Sequence, residues 1–383
     1  MWGFFTTPSI AFGPGALQQL SGLGAHRAVL VLDPALGGHP ATQRTLEELG
    51  KSGTTTDSVP VPAGEPTIES VESLVPRLKS FAPDWIVAIG GGSAIDTAKG
   101  LWVRYARPEL ELGALTPLVE LSLRSRARFV AVPTTVGSGS EATGLAHFRT
   151  ADHRFVEVSS RELVPDWAIV DPAFLSTLPP RIAAETAADA IAHALEAAVS
   201  EWASPYSDAH AREALSVALP LIGRVPKHWD DPDLRASLAH AATSAGLAAS
   251  NSQVGVGHAL AHALSTEFPL PHGRLVAALM PYVAEFNYPS ARDKYTGLAP
   301  VLGVGVTHRS SVAERLRAIG DPAGLPRTLA DAGITEPALM SRIDLVVTRA
   351  GSSPGAVANP RVPSPAELRE LLLAAVRGSP VTF

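Results

Sequence analysis

The sequence predicts an α/β amino-terminal domain built on a mainly parallel sheet, followed by an all-helical carboxy-terminal domain. Three observations carry this. Through Leu178, short β-branched apolar runs alternate with helical patterns, the order that generates parallel strands joined by crossover helices. Several of those runs end in Gly, Thr or Asp, at the strand ends where open α/β sheets place their ligands. After Leu178-Pro179-Pro180 the strand signals fade, and long Ala-, Leu- and His-rich helical stretches take over.

In chain order, Ala28-Val29-Leu30-Val31-Leu32 reads as a buried strand ending at Asp33. Thr67 to Phe81 reads as a helix with Val71, Leu74 and Leu78 on one face, although Pro76 falls inside it. Trp85 to Ile89 is the next strand and runs into Gly90-Gly91-Gly92-Ser93. Phe129 to Val132 runs into Pro133-Thr134-Thr135, and Ala168 to Val170 into Asp171-Pro172. Helical patterns then cover Ile182 to Val199, Ser207 to Ile222, Asp233 to Ala249 and Pro365 to Val376, while Gly351 to Ser364 reads as a loop. Proline suits a first helical position and forces the residue before it out of the helical region. The double proline therefore marks a boundary, giving domains 1–179 and 180–383 in a chain of 383 residues, longer than one core usually organises.

Composition narrows the function. With 46% hydrophobic and 18% charged residues the chain is globular rather than disordered. The balance of 31 basic against 37 acidic residues, with no basic run, argues against nucleic-acid partners and a polybasic membrane anchor, and leaves a small molecule as the expected partner. Met1 to Thr6 lacks a basic leader region, and Pro8, Gly13, Pro14 and Gly15 break any apolar stretch, so a cytoplasmic protein is expected. No window reaches the roughly 18 apolar residues that span a bilayer. The chain has no cysteine, so any metal must sit on imidazoles and carboxylates.

Two loops have the character of a nucleotide site. Gly90-Gly91-Gly92-Ser93-Ala94-Ile95-Asp96-Thr97-Ala98-Lys99 joins a strand to a helix, where glycine backbone lets a pyrophosphate approach the helix amino terminus. Taken alone, GGGS also has the reading of a glycine-rich turn with no ligand. Pro133-Thr134-Thr135-Val136-Gly137-Ser138-Gly139-Ser140-Glu141 offers hydroxyls and flexible backbone after another strand, and alone it is an ordinary polar loop. Asp33 is either a strand-ending turn residue or an acceptor for the adenosine ribose hydroxyls, which would repel a 2′-phosphate and favour NAD over NADP. It precedes the glycines, whereas the common dinucleotide fingerprint places its acid about 20 residues after them. The domain is thus Rossmann-like rather than a standard Rossmann unit.

The helical half carries ligand-type residues. Asp189 and His193 are four apart and share a helix face, as do His258 and His262, and Pro271-His272-Gly273 presents an imidazole from a constrained turn. A lone Asp–His pair at that spacing is commonly a surface pair or a satisfied core histidine. With the second group it becomes a candidate site of one carboxylate and three imidazoles, suited to Fe(II), Zn(II) or another divalent ion.

At these residues the chain resembles the iron-containing (group III) alcohol dehydrogenase family, which has the dehydroquinate synthase-like fold. Pro8 to Leu17 resembles the family's opening, Gly90 to Lys99 its GGGSxxDxAK loop and Pro133 to Thr143 its PTTxGxGSE loop. Asp189 to Glu196 resembles the DAxxHxxE helix, His258 to Gly273 the HxxxH…PHG segment, and Asn359-Pro360-Arg361 the late NPR turn. The resemblance implies that Asp189, His193, His258 and His272 bind the metal and that His262 lies beside the substrate oxygen and nicotinamide. It places Gly91, Gly92, Ser93, Asp96, Thr134 and Thr135 on the cofactor. Arg154 departs from the pattern, standing where many relatives carry lysine.

The expected activity is interconversion of an alcohol and an aldehyde or ketone by hydride transfer with NAD(H). The divalent ion would polarise the substrate oxygen, and His262 would relay the proton. A homodimer or higher homo-oligomer is expected. The rival readings are a maleylacetate-type reductase that needs no metal, a cyclising synthase of the same fold, and a non-catalytic metal-binding protein.

Overall fold

The computed structural model describes residues 5–62, 64–151 and 154–383. The chain divides into two compact units, one running from Thr6 to Leu178 and the other holding Pro179–Phe383.

The first unit contains β1 (Ser9–Phe12), β2 (Arg27–Leu32), α1 (Pro40–Lys51), β3 (Thr55–Pro60), α2 (Ile68–Phe81), β4 (Trp85–Gly90), α3 (Gly92–Ala106), β5 (Arg128–Pro133), β6 (Leu145–Arg149), β7 (Phe155–Ser159) and β8 (Trp167–Val170). Six strands form an all-parallel sheet in the order β1-β8-β5-β4-β2-β3, and β6 and β7 form a separate antiparallel hairpin. Crossover helices cover both faces of a parallel sheet, which is why β2, β4 and β5 read as unbroken apolar runs. Alternate side chains feed two cores. Val29, Val31, Ile86, Ala88, Phe129 and Ala131 pack with residues of α2 and α3. Leu30, Val87, Ile89, Val130 and Val132 pack on the other face with Leu49 of α1.

The expected strands and helices are present with ends shifted by one to three residues. Thr67 is the cap of α2 rather than its first residue: its side chain accepts from Ser70 N, and Ser70 answers at Thr67 N. Four strands carry no strong sequence signal. The edge strand β3, Thr-Thr-Asp-Ser-Val-Pro, buries only Val59, so it lacks an apolar period. β1 is a four-residue edge strand, and the hairpin β6–β7 is short and half-exposed.

The second unit starts with α4 (Pro180–Val199), α5 (Pro205–Leu221), the short α6 (Val225–His228), α7 (Pro232–Ser252), α8 (Val256–Glu267) and α9 (His272–Gly297). Proline opens α4, α5 and α7, where its missing N–H costs no helical bond. Helices continue to Pro365–Arg377, and no β-strand is found among its described residues. Gly351 to Ser364, expected as a loop, contains the helical turn Pro354–Ala358, capped by Ser353 through Gly355 N. Among the described residues, no helix is long and apolar enough to cross a membrane.

Candidate functional site

The sheet brings the nucleotide-type loops together. Leu32 pairs with Ile89, and Gly90 with Pro133, so the carboxyl ends of β2, β4 and β5 are level. Beyond the strands, Asp33 N donates to Ile89 O at 3.1 Å and Thr134 N to Gly90 O at 3.0 Å. Asp33, Gly90 and Thr134 thus stand side by side. The chain runs outward from β2 to β3, then returns to build β4 and β5 on the other side of β2. This reversal point is where open α/β sheets leave a crevice for ligands.

The glycines let the two loops approach closely. A Cβ on Gly91 would lie 3.1 Å from Thr135 Cγ2, and one on Gly92 3.0 Å from both Cβ and Oγ of Ser138. The two loops therefore pack directly on one another. Gly91 caps α3 without a side chain, so no side-chain cap covers the helix amino terminus, where Ala94 N turns back to Gly91 O at 3.1 Å. Ser93 is exposed in that turn, Thr134 is buried and Thr135 half-buried. Asp33 serves one turn-residue function, since its Oδ1 accepts from Ala35 N at 2.9 Å. Asp96, expected on the cofactor, is committed elsewhere. Its Oδ1 accepts from Ser140 Oγ at 2.5 Å and its Oδ2 from His147 N at 3.0 Å, because its position on α3 turns it toward the second loop and the hairpin.

In the helical unit, Asp189, His258 and His272 converge, their ligand-type atoms all within 4.8 Å of one another. Asp189 Oδ1 is 3.4 Å from His258 Nε2 and 3.6 Å from His272 Nε2. His193, the fourth expected ligand, lies against this set but outside it. Its Nδ1 is 3.8 Å from Asp189 Oδ2, and its ring centroid is 4.1 Å from that of His258. Asp189 Oδ1, His193 Nδ1 and His258 Nε2 are buried and have no hydrogen-bond partner. Buried polar atoms are rarely left so. Asp189 Oδ1 and His258 Nε2, orphaned and 3.4 Å apart beside His272, are what a divalent cation would satisfy, with the orphaned His193 Nδ1 next to the second Asp189 oxygen, so the residues fit such an ion.

Glu196 builds the site from behind, and sequence reasoning gave it no role. It is 1% exposed and accepts from Gly255 N at 2.9 Å, Gly257 N at 2.6 Å and His258 Nδ1 at 2.6 Å. The Nδ1–H bond turns the Nε2 lone pair of His258 toward Asp189, and the backbone bonds anchor the amino terminus of α8. Asn359 adds a further anchor, accepting from Val256 N at 3.2 Å and Asn287 Nδ2 at 3.1 Å. The only sequence signals for either residue are the last letter of the DAxxHxxE helix and the first of the NPR turn. On the other side, a Cβ on Gly273 would meet the Glu185 carbonyl, 2.9 Å from its carbon and nearer still to its oxygen. Glycine there lets α9 approach α4 closely enough to set His272 beside Asp189.

The electrostatics follow from burial and proximity. Burial opposes ionisation of Asp189, but His193, His258 and His272 outweigh it and hold the carboxyl well below its usual range. For His193, burial and the neighbouring His258 act together and depress the imidazole to about 3, which keeps the ring neutral. His258 is also buried, yet Asp189 and Glu196 raise it to about 9. A bound cation would replace that proton.

His262 extends the cluster, stacking on His272 with centroids 4.6 Å apart and lying 6.2 Å from His258. Arg274, which follows the Pro-His-Gly turn, donates to Glu185 at 3.2 Å, Ala332 O at 3.0 Å and Asp331 O at 2.8 Å. It caps the carboxyl end of the helical turn Leu329–Ala332.

A parallel α/β unit with two nucleotide-type loops and a helical unit with a carboxylate–imidazole cluster have the parts of an oxidoreductase, and comparison with known proteins gives the family. Residues 7–172 match the iron-containing alcohol dehydrogenase model, and residues 183–376 the carboxy-terminal model of the Fe-containing alcohol dehydrogenase family. The chain belongs to the iron-containing alcohol dehydrogenase family. It is 29% identical to an NADPH-dependent butanol dehydrogenase of Clostridium saccharobutylicum over 99% of both chains. It is 31% identical to an alcohol dehydrogenase of Thermococcus barophilus, covering 94% of this chain and 96% of the relative. An iron-containing alcohol dehydrogenase structure from Thermococcus thioreducens superposes with a TM-score of 0.90 at 31% identity, covering 98% of this chain and 100% of that one.

Proposed function

We propose that the protein interconverts an alcohol and an aldehyde or ketone, using NAD(H) and a divalent ion, with Fe(II) the first choice and Zn(II) the alternative. The observation that supports this most directly is the set of orphaned atoms on Asp189, His193 and His258, joined by His272. Such an ion supplies Lewis acidity toward a substrate oxygen, and a nicotinamide supplies the hydride acceptor. Asp189 brings the negative charge that favours a dication, and His193 and His258 the buried lone pairs. Glu196 holds His258 in the required tautomer. His262, half-buried and stacked on His272, would take or return the substrate proton through its ring nitrogens.

Around the glycine cradle, the open first turn of α3 would receive the pyrophosphate. Ser93, Thr134 and Thr135 offer hydroxyls to it, and Asp33 would accept from the ribose hydroxyls. A maleylacetate-type reductase needs no metal and leaves the orphaned ligand atoms without a purpose. A cyclising synthase acting on a phosphorylated substrate would call for a free cation near the ligands, and the donors of Arg274 are committed to Glu185 and two carbonyls. The test is a panel of alcohols and aldehydes assayed in both directions after Fe(II) or Zn(II) reconstitution. Reduction or oxidation of the nicotinamide should depend on the metal and be lost, together with bound metal, in His258→Ala and His272→Ala. Retention of both properties in these variants would overturn the assignment.

A further inference from the structure

The α/β unit contains a second buried polar cluster, separate from the metal-type ligands. Lys99 is 0% exposed, a rare state for a lysine, and it lies on α3 two turns beyond the glycine cradle. Its ammonium donates to Ser140 O at 2.8 Å, Thr143 O at 2.8 Å and Leu145 O at 2.7 Å, with Thr143 Oγ1 at 3.1 Å and Ser140 Oγ at 3.4 Å. Three carbonyls thus converge on a group with three tetrahedrally arranged donors, a match that no neutral side chain and no planar guanidinium reproduces. One turn earlier on the same face, Asp96 takes Ser140 Oγ and His147 N. His147 itself stands 3.5 Å from both Asp96 and Glu157.

The bonds to Ser140 and Thr143 grip the end of the second nucleotide loop, and those to Leu145 and His147 tie down β6, which follows it. Ser140 follows Gly139, whose left-handed φ of 59° turns the chain, and lies two residues beyond Ser138, which packs on Gly92. The loop's other end leaves β5 at Pro133, beside Gly90. A loop tied at both ends to the strand and helix that carry the first loop cannot drift from it. The tolerance is small, because the Gly91–Thr135 and Gly92–Ser138 approaches leave 3.1 Å and 3.0 Å at the Cβ positions.

We propose that Lys99 and Asp96 are positioning residues for the dinucleotide: a buried clamp that holds the second loop in register with the glycine cradle, so that both meet the cofactor in one geometry. The inference rests on the dinucleotide reading given above. Burial lowers the Lys99 ammonium to about 8 against the pull of Asp96 and Glu141, so the clamp is charged at neutral pH.

The experiment compares the full-length wild type with Lys99→Met, Lys99→Arg and the milder Ser140→Ala, which removes one hydroxyl and leaves the loop backbone intact. Dissociation constants for NADH and NADPH are measured by calorimetry at a temperature where circular dichroism shows each variant folded, and Zn(II) affinity is measured in parallel. Lys99→Met should weaken dinucleotide binding about tenfold or more and Ser140→Ala by a few-fold, and Lys99→Arg should fail to restore it. Zn(II) affinity should be unchanged, because every candidate ligand lies in the other unit. In turnover, KM for the dinucleotide should rise with little change in kcat at saturation.

A folded Ser140→Ala or Lys99→Met with wild-type dinucleotide affinity would overturn the clamp. Equal losses of dinucleotide and Zn(II) affinity would reduce it to general destabilisation. If Lys99→Met does not fold, Ser140→Ala decides. A wild type that binds neither NADH nor NADPH would refute the dinucleotide reading itself, an outcome distinct from unchanged binding in the variants.

Discussion

Replacing Glu196 by Gln separates the metal-type ligands from the group that orients them. The carboxylate receives Gly255 N and His258 Nδ1 on one oxygen and Gly257 N on the other. Glutamine keeps one acceptor and replaces the second with an NH2. Whichever way the amide is turned, at least one donor then faces another donor at a residue 1% exposed. A buried group left unsatisfied costs about 1–3 kcal/mol. Loss of an outer partner of a ligating histidine costs about 10–100-fold in metal affinity. Glu196→Gln should therefore bind Fe(II) or Zn(II) about 10–100-fold more weakly and unfold about 1–3 kcal/mol more easily. Chelator competition, anaerobic for Fe(II), reads the first quantity, and urea unfolding of the apo protein reads the second. A folded variant with unchanged metal affinity would refute the view that Glu196 sets the tautomer and orientation of His258.

Three other substitutions test separate parts of the structure. Gly273→Ala places a Cβ against the Glu185 carbonyl, 2.9 Å from its carbon, so α9 must shift away from α4 and carry His272 from Asp189. Metal affinity should fall by about tenfold or more, and unchanged affinity would show that the close approach does not place His272. His147→Gln tests the hairpin cluster. Burial opposes the charge on His147, but Asp96 and Glu157 raise its pKa from 6.5 to about 9. A raised folded-state pKa means that its stabilisation is present in full below pH 6.5 and is lost as pH rises through 9. The stability difference between wild type and His147→Gln should shrink across that window, and a flat or growing difference would contradict the assignment. Finally, Asp33→Gly should raise kcat/KM for NADPH relative to NADH by about tenfold, since it removes a carboxylate that would face a 2′-phosphate. An unchanged ratio in steady-state assays would leave the ribose role without support.

The elements that lie deep in the molecule were the ones legible in the sequence. β2, β4 and β5 are covered on both faces, so they appear as continuous apolar runs, and the prolines that open α4, α5 and α7 mark helix starts by local sterics. β3 was invisible because an edge strand needs few apolar side chains. The ligand-type residues were legible as spacing: Asp189 and His193 share a helix face whatever α4 packs against. Asp96 shows the limit. Its place in a glycine-loop motif pointed toward the cofactor, and only the path of the chain after Ser140 showed that both its oxygens are taken.

The sequence by itself determined the alternation of strands and helices, the glycine cradle, and which helices carry a carboxylate or an imidazole. These depend on steric and periodic constraints that act within a few residues. The tertiary structure decided what meets what. It brought residues 69 and 83 positions apart, Asp189 to His258 and His272, within 3.4 Å and 3.6 Å, and gave the ring of His258 to Glu196. It also set Lys99 under three carbonyls more than 40 positions along the chain. Such contacts depend on how closely two backbones can approach, as at Gly273 and Gly355, and that distance is set by the packing of both partners rather than by either segment alone.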